Sequence, residues 1–291
     1  MISRVLLLVK CCGANSQNDM NNRALTENHV HFVQQGQGAP VILIHGLAAS
    51  LLDWTELLPT LASNGYAGYA LDLLGHGNSY KPPRLEDYHI ENVFDHFRAW
   101  LEQLQPASPL ILVGHSLGGY LAMEYALRYP GRVRALVLGN PFYSLQQLPA
   151  LLRIHYQKPR INSEMINRAP EWVIRMVVDL TSLSIRNGYV LPEKVRKQTA
   201  LDYKRAHPGI FNLPTTIRDL LPLAPRIHLP SLVLWGSRDQ TLAPASFPKL
   251  AASLPNAQTA TIKAGHVPHQ SHAEEFNRRV LGFLQNLPNS H

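Results

Sequence analysis

A serine is a weak nucleophile at neutral pH unless a base takes its proton and a third group orients that base. The stretch LILVGHSLGGYLAMEYALRYP, residues 110 to 130, sets one serine where such help could reach it. Leu110 to Val113 is an apolar strand run, Leu121, Ala122, Tyr125 and Ala126 recur at helical spacing, and Pro130 ends the pattern. Between them, Gly114-His115-Ser116-Leu117-Gly118 must convert strand to helix in a few residues. Such a turn forces its central residue into strained backbone angles, and flanking glycines leave room for the close approach. Ser116 Oγ is then expected to stand clear of the sheet at a helix N-terminus, whose unpaired N–H groups favour developing negative charge.

In an open parallel sheet, groups distant in sequence gather at the carboxyl ends of the strands. Asp239 ends the strand run LVLWGSRD, and His266 follows TATIKAG. Among 14 histidines, His269 competes as the base, but only His266 immediately follows the last strand. Asp72 competes as the acid, although an aspartate in the run Asp72 to Ser79 more naturally organises a turn. The remaining acid station, after VRALVLG, holds Asn140, whose amide cannot stabilise an imidazolium. An oxyanion needs two donors: the Leu117 N–H beside the nucleophile, and one from the loop LIHGLAAS, where Gly46 and Leu47 follow a buried strand.

Those residues need a sheet to carry them. PVILIHG, GYALDL, PLILVGHS and VRALVLGN read as strands, with helices around Thr55 to Ser63, Asn92 to Leu104 and Leu117 to Tyr129 between them. Apolar strands alternating with helices predict an α/β fold with a doubly wound, mostly parallel sheet. HVHFVQQG reads as an antiparallel edge strand. From Phe142 to Pro225 the pattern gives no strand, many prolines and apolar helical stretches such as Pro170 to Ile185; alternation resumes with SLVLWGSRD and AQTATIKAGH and closes on the amphipathic helix His272 to Leu287. The expected organisation is a core of residues 29–141 and 226–291, a helical cap inserted at 142–225, and a disordered leader at 1–28.

Composition narrows the class. With 291 residues, 45% of them hydrophobic, the chain suffices for one sizeable domain with an insertion. The two cysteines, Cys11 and Cys12, are adjacent and precede the folded pattern, so they form neither a disulfide framework nor a metal site. The apolar run before Lys10 is too short for a signal-peptide core or a membrane span, and a cytoplasmic location is expected. Of 27 Lys and Arg, 13 lie between Ala150 and Arg226 against 6 Asp and Glu, so this segment holds the whole excess of +7. No nucleic-acid motif accompanies that charge; a solvated face is the first reading and an anionic membrane surface the second.

HGLAASLLDW, DLLGHGNSYKP, GHSLGGYLAMEYALRYP, LWGSRDQTLAP and GHVPHQ together resemble the ordered motifs of the α/β-hydrolase superfamily, from about His29 to Leu287 apart from the insertion. The resemblance implies a triad of Ser116, Asp239 and His266, an oxyanion hole from Leu47 and Leu117, and a cap over the site. Haloalkane dehalogenases and epoxide hydrolases of this fold use an aspartate where this chain has Ser116. The expected activity is therefore serine hydrolysis of an apolar carboxylic ester, as in carboxylesterases and lipases, with neither metal nor organic cofactor. Gly46 and His115, with Trp172 and Met176 on the cap, are the residues expected to touch substrate. Carbon–carbon bond hydrolysis, perhydrolysis and a small-molecule receptor retaining the triad are the alternatives.

Overall fold

The computed structural model describes residues 29–106, 109–150, 153, 169–170, 172–174, 176 and 191–288. Seven strands form one sheet in the order β1-β3-β2-β4-β5-β6-β7. They are β1 (Phe32–Gln35), β2 (Ala39–Ile44), β3 (Tyr66–Leu71), β4 (Leu110–His115), β5 (Val133–Gly139), β6 (Ser231–Gly236) and β7 (Ala257–Ile262). Every neighbouring pair is parallel except β1 with β3, so HVHFVQQG is the antiparallel edge strand its alternation predicts.

Central strands β2 and β4 are apolar on both faces because both faces are covered. One apolar cluster joins Ile42, Ile44, Leu112 and Leu138 to α2 (Ile90–Leu104) and α3 (Leu117–Arg128). A second joins Val41, Leu43, Ile111 and Val113 to α1 (Leu57–Ala62) and α7 (Ala273–Gln285). Between these helices and the sheet the register alternates residue by residue, as the pleat demands. In α2 the buried Ile90, Val93, Phe94, Phe97, Trp100 and Leu101 make one stripe; His89 caps its start through the Glu91 N–H, and Gln105 ends it in the left-handed region at φ 45°. Helix α3 has no polar face over its first ten residues, Leu117 to Ala126, because it is packed on all sides.

The segment expected as a cap shows no strand among its described residues. It contains α4 (Glu193–Arg205) and two 3-10 stretches, Pro208–Thr215 and Leu221–Arg226. Ile210, Phe211, Leu213, Leu220 and Ala224 are buried in the same cluster as the α2 and α3 side of the sheet, so the stretch after α4 is bonded to the core layer. Residues 1–28 and 177–185, which include the leader and much of the expected cap helix, lie outside the described residues. Helix α5 (Ser246–Ser253) follows β6, and the short α6 (Pro268–Ser271) follows β7. No helix among the described residues is long and apolar enough to cross a membrane.

One buried charge ties the layers together. Glu124 on α3 is 1% exposed; Arg218 reaches it with Nε and Nη2 at 2.6 and 2.7 Å, Arg128 Nε at 3.1 Å, and the Tyr120 hydroxyl donates at 3.1 Å. A buried carboxylate stripped of partners is costly, so this fork fixes the stretch before Leu221 onto α3. Arg218→Met should destabilise the protein by about 1–2 kcal/mol, the lower part of the range for charged hydrogen bonds because Arg128 remains and the Arg218 side chain is half exposed. The shift of the urea midpoint measures it.

Candidate active site

The turn from β4 into α3 is as tight as the sequence demands. Ser116 has φ 50° and ψ −114°, a conformation L residues rarely adopt. Four hydrogen bonds hold it there: its N–H donates to the Gly139 carbonyl at 3.0 Å, and its own carbonyl accepts from Gly119 at 2.9 Å, Phe142 at 3.0 Å and Tyr120 at 3.2 Å. The neighbouring glycines are required by space. A Cβ on Gly118 would lie 2.1 Å from the Ile44 carbonyl oxygen, and one on Gly114 would lie 2.3 Å from the Gly118 oxygen. Helix α3 therefore begins against the end of β2, with Ser116 at its N-terminus.

Across the sheet, Asp239 in the loop after β6 and His266 after β7 meet as expected. His266 Nδ1–H donates to Asp239 Oδ2 at 2.7 Å, which leaves Nε2 with its lone pair. The carboxylate is 4% exposed and well supplied with donors. Thr241 and Leu242 N–H groups reach Oδ1 at 2.8 and 3.0 Å, and the Asn140 amide reaches Oδ2 at 2.7 Å. Burial alone would push this carboxyl up; His266 and these donors outweigh it and hold it below its ordinary value. The amide at the other acid station thus serves the acid rather than replacing it, a role its position signalled but its chemistry hid.

Ser116, Leu117, Leu47 and His266 line one cavity of 260 Å³. Leu47 lies in the loop after β2, where Ala48 takes φ 54°. Two buried histidines hold that loop, and sequence reasoning missed the second of them, His76. His45 donates from Nδ1 to the Gly46 carbonyl at 2.7 Å and accepts the Leu73 N–H at 3.0 Å; His76 donates to the Leu74 carbonyl at 2.9 Å and accepts the Ala48 N–H at 3.2 Å. Burial pushes the His76 imidazole down to about 3, so it stays neutral and keeps its lone pair for Ala48. The paired motifs IHG and GHG carried the signal.

The competing residues have other occupations. Asp72 accepts from the Leu51 and Asn78 N–H groups at 2.8 and 2.9 Å and from His31 at 2.8 Å, organising the turn as its position suggested. His269 is buried and directs Nε2 to Asp53 at 3.3 Å. His115 lines the cavity and donates from Nε2 to the His266 carbonyl at 2.8 Å, while Gly46 packs against its ring. Asp53, His115 and His269 bring ligand-capable atoms within 4.8 Å of one another. The structure does not bring the expected cap pair to the cavity: Trp172 and Met176 are 68% and 54% exposed and absent from its walls. Ile174, between them, turns inward against Ala200. From the segment expected as a cap, the cavity wall instead takes Leu191, Thr199, Asp202 and Tyr203, because α4 packs over the site.

Comparison with known proteins agrees with this architecture. The model of the alpha/beta hydrolase fold family matches residues 39–273. The chain is 39% identical over 114 residues to bifunctional epoxide hydrolase 2 of Sus scrofa, covering 39% of this chain and 20% of that one, so it matches about a fifth of that relative's length. It is 27% identical over 288 residues to a haloalkane dehalogenase of Mycolicibacterium paratuberculosis, covering 92% of each. A thermophilic esterase from Thermogutta terrifontis superposes with a TM-score of 0.75 at 23% identity, covering 89% of this chain and 94% of that one.

Gly118→Ala should cost about 1–3 kcal/mol, the usual penalty of overpacking, because the obstacle is backbone and cannot swing aside. A fall in the urea midpoint without a change in slope checks it.

Proposed function

The chain belongs to the alpha/beta hydrolase fold family, and from that premise we propose that it is a serine hydrolase cleaving carboxylic esters through an acyl-enzyme. One observation carries the reading: Ser116, held at positive φ on a helix N-terminus, opens into the same cavity as His266, whose other ring nitrogen is fixed by Asp239 at 2.7 Å. His266 Nε2 takes the Ser116 hydroxyl proton as Oγ attacks the ester carbonyl carbon. Leu47 and Leu117 N–H groups receive the oxyanion. On collapse the alcohol leaves with the proton from His266; water then adds to the acyl-enzyme by the same base, and Ser116 departs with its proton restored. Asp239 stays ionised and steadies the imidazolium.

Two of the relatives bear the names of epoxide and haloalkane enzymes, and chemistry separates this chain from them. A serine alkylated by an epoxide or a haloalkane becomes an ether, which water with a general base does not cleave. A serine acylated by an ester becomes a new ester, which it does. Ser116 therefore supports acyl transfer.

A fluorophosphonate probe should label the wild-type protein and leave Ser116→Ala unlabelled. p-Nitrophenyl esters of increasing acyl length should be turned over with kcat/KM peaking at one length; labelling of Ser116→Ala at the wild-type rate would sink the assignment. Asp239→Asn should lower kcat by roughly 10⁴, the cost of holding the base in the wrong tautomer, with little change in KM.

A further inference from the structure

Asp202 is a buried carboxylate that the proposed mechanism does not use. It sits on the last turns of α4, 2% exposed, and forms part of the cavity wall that Ser116 also lines. Its hydrogen-bond partners are neutral: the Gln198 amide reaches both oxygens at 2.9 Å, and the Ser50 hydroxyl assists. Its position is unfavourable three times over. It is desolvated, it is faced by Asp53 and Asp72, and it lies toward a helix C-terminus, where negative charge is opposed by the backbone dipoles. Burial first, then the two aspartates, raise its carboxyl to about 7 against Gln198 and Ser50.

A second, independent group in the same wall has one atom without a partner. His115 is 3% exposed and commits its Nε2–H to the His266 carbonyl, which leaves Nδ1 as a bare acceptor; no hydrogen-bond partner reaches that atom. A ring nitrogen of His115 lies within 4.8 Å of an Asp53 oxygen. The cavity wall thus carries two carboxylates, Asp202 and Asp53, beside a His115 ring that has no N–H left to give them. An alkylammonium is the converse, with three N–H donors and no acceptor on an apolar stem.

Resting on the serine hydrolase reading, we propose that the cavity selects esters carrying a primary ammonium group, which Asp202, with Asp53 beside it, receives while the apolar remainder of the substrate fills the cavity leading to Ser116. The fold itself does not need the charge. In the folded chain Asp202 binds its proton more tightly than in the unfolded one, so between about pH 4 and pH 7 stability falls as pH rises, and an amide at 202 escapes that loss. The selectivity has the opposite slope: it grows as pH rises through about 7 and Asp202 ionises. The charged and titratable groups that set this are Asp53, Asp72, His115, His266 and Arg238 around the cavity, with Lys204 and Arg205 on the same helix.

The test pairs p-nitrophenyl 6-aminohexanoate with p-nitrophenyl heptanoate, which differ only by an ammonium in place of a methyl. At pH 8 the wild-type protein should prefer the amino ester by about tenfold or more in kcat/KM, a preference that shrinks at pH 6 and disappears in Asp202→Asn. The same variant should melt at a higher temperature than wild type at pH 8, which shows that a lost preference is not a lost fold. Preference for the heptanoate in wild type at pH 8, or a ratio unchanged in Asp202→Asn, overturns the proposal. Binding of hexylammonium to Ser116→Ala, read by calorimetry, needs no turnover. If neither ester is hydrolysed the esterase reading fails by itself, while binding abolished by adding Asp202→Asn still supports the ammonium site and equal binding still overturns it.

Discussion

The close approach of α3 to the end of β2 governs the rest of the site. With only hydrogen on Gly118, the first turn of α3 lies against the Ile44 carbonyl, and the chain has no room between β4 and α3 for any path but the one through positive φ at Ser116. Such a backbone costs of order 1–3 kcal/mol. Burial of α3 on every side from Leu117 to Ala126 offsets it many times over, since each large apolar side chain taken from water is worth about 1.5–3 kcal/mol. The strain is therefore held by packing that a solvent-exposed helix could not supply.

The same sheet edge explains why the partner of His266 comes from the loop after β6 although the station after β5 is also vacant of an apolar residue. Asn140, at φ 41°, donates its amide N–H to Asp239 and accepts the Gly236 N–H on its oxygen at 3.3 Å, so the two strand ends are bonded through the Asn140 side chain. Asp239 is thus oriented by its neighbour in the sheet as well as by its own loop. An aspartate at position 140 would set two carboxylates side by side, and one of them would have to take up a proton.

The strands, and the placement of Ser116, Asp239 and His266 at their carboxyl ends, were legible because each has a local signature: apolar runs, a glycine-flanked turn, a polar residue at a strand's end. Periodicity also placed α2, α3 and α7 to within two residues. The cavity-facing side of the segment expected as a cap was not legible. PEWVIRM is apolar almost all round, so no stripe distinguished Trp172 and Met176, which face solvent, from Ile174, which does not. The cavity wall came instead from the highly polar α4, whose Thr199, Asp202 and Tyr203 share a face that no apolar pattern marks. His76 escaped for a related reason: its hold on the loop is a bond from one ring nitrogen to a backbone N–H 28 residues away.

Four buried carboxylates show how differently one fold can treat the same group. Glu124 is met by two arginines and a tyrosine, and its charge is spent in joining α3 to the stretch before Leu221. Asp239 is met by His266, two backbone N–H groups and an amide, and its charge is reserved for the imidazole. Asp53 receives His269 and Gln270. Asp202 receives only a glutamine and a serine, although it is as deeply buried as the others. Compensation falls along this series while access to the cavity appears at its end: Glu124 is sealed in the core, whereas Asp53 and Asp202 line the space above Ser116. A carboxylate whose field is not cancelled by the protein acts on whatever enters that space, and the low dielectric that makes Asp202 costly to the empty fold strengthens its hold on a cationic occupant.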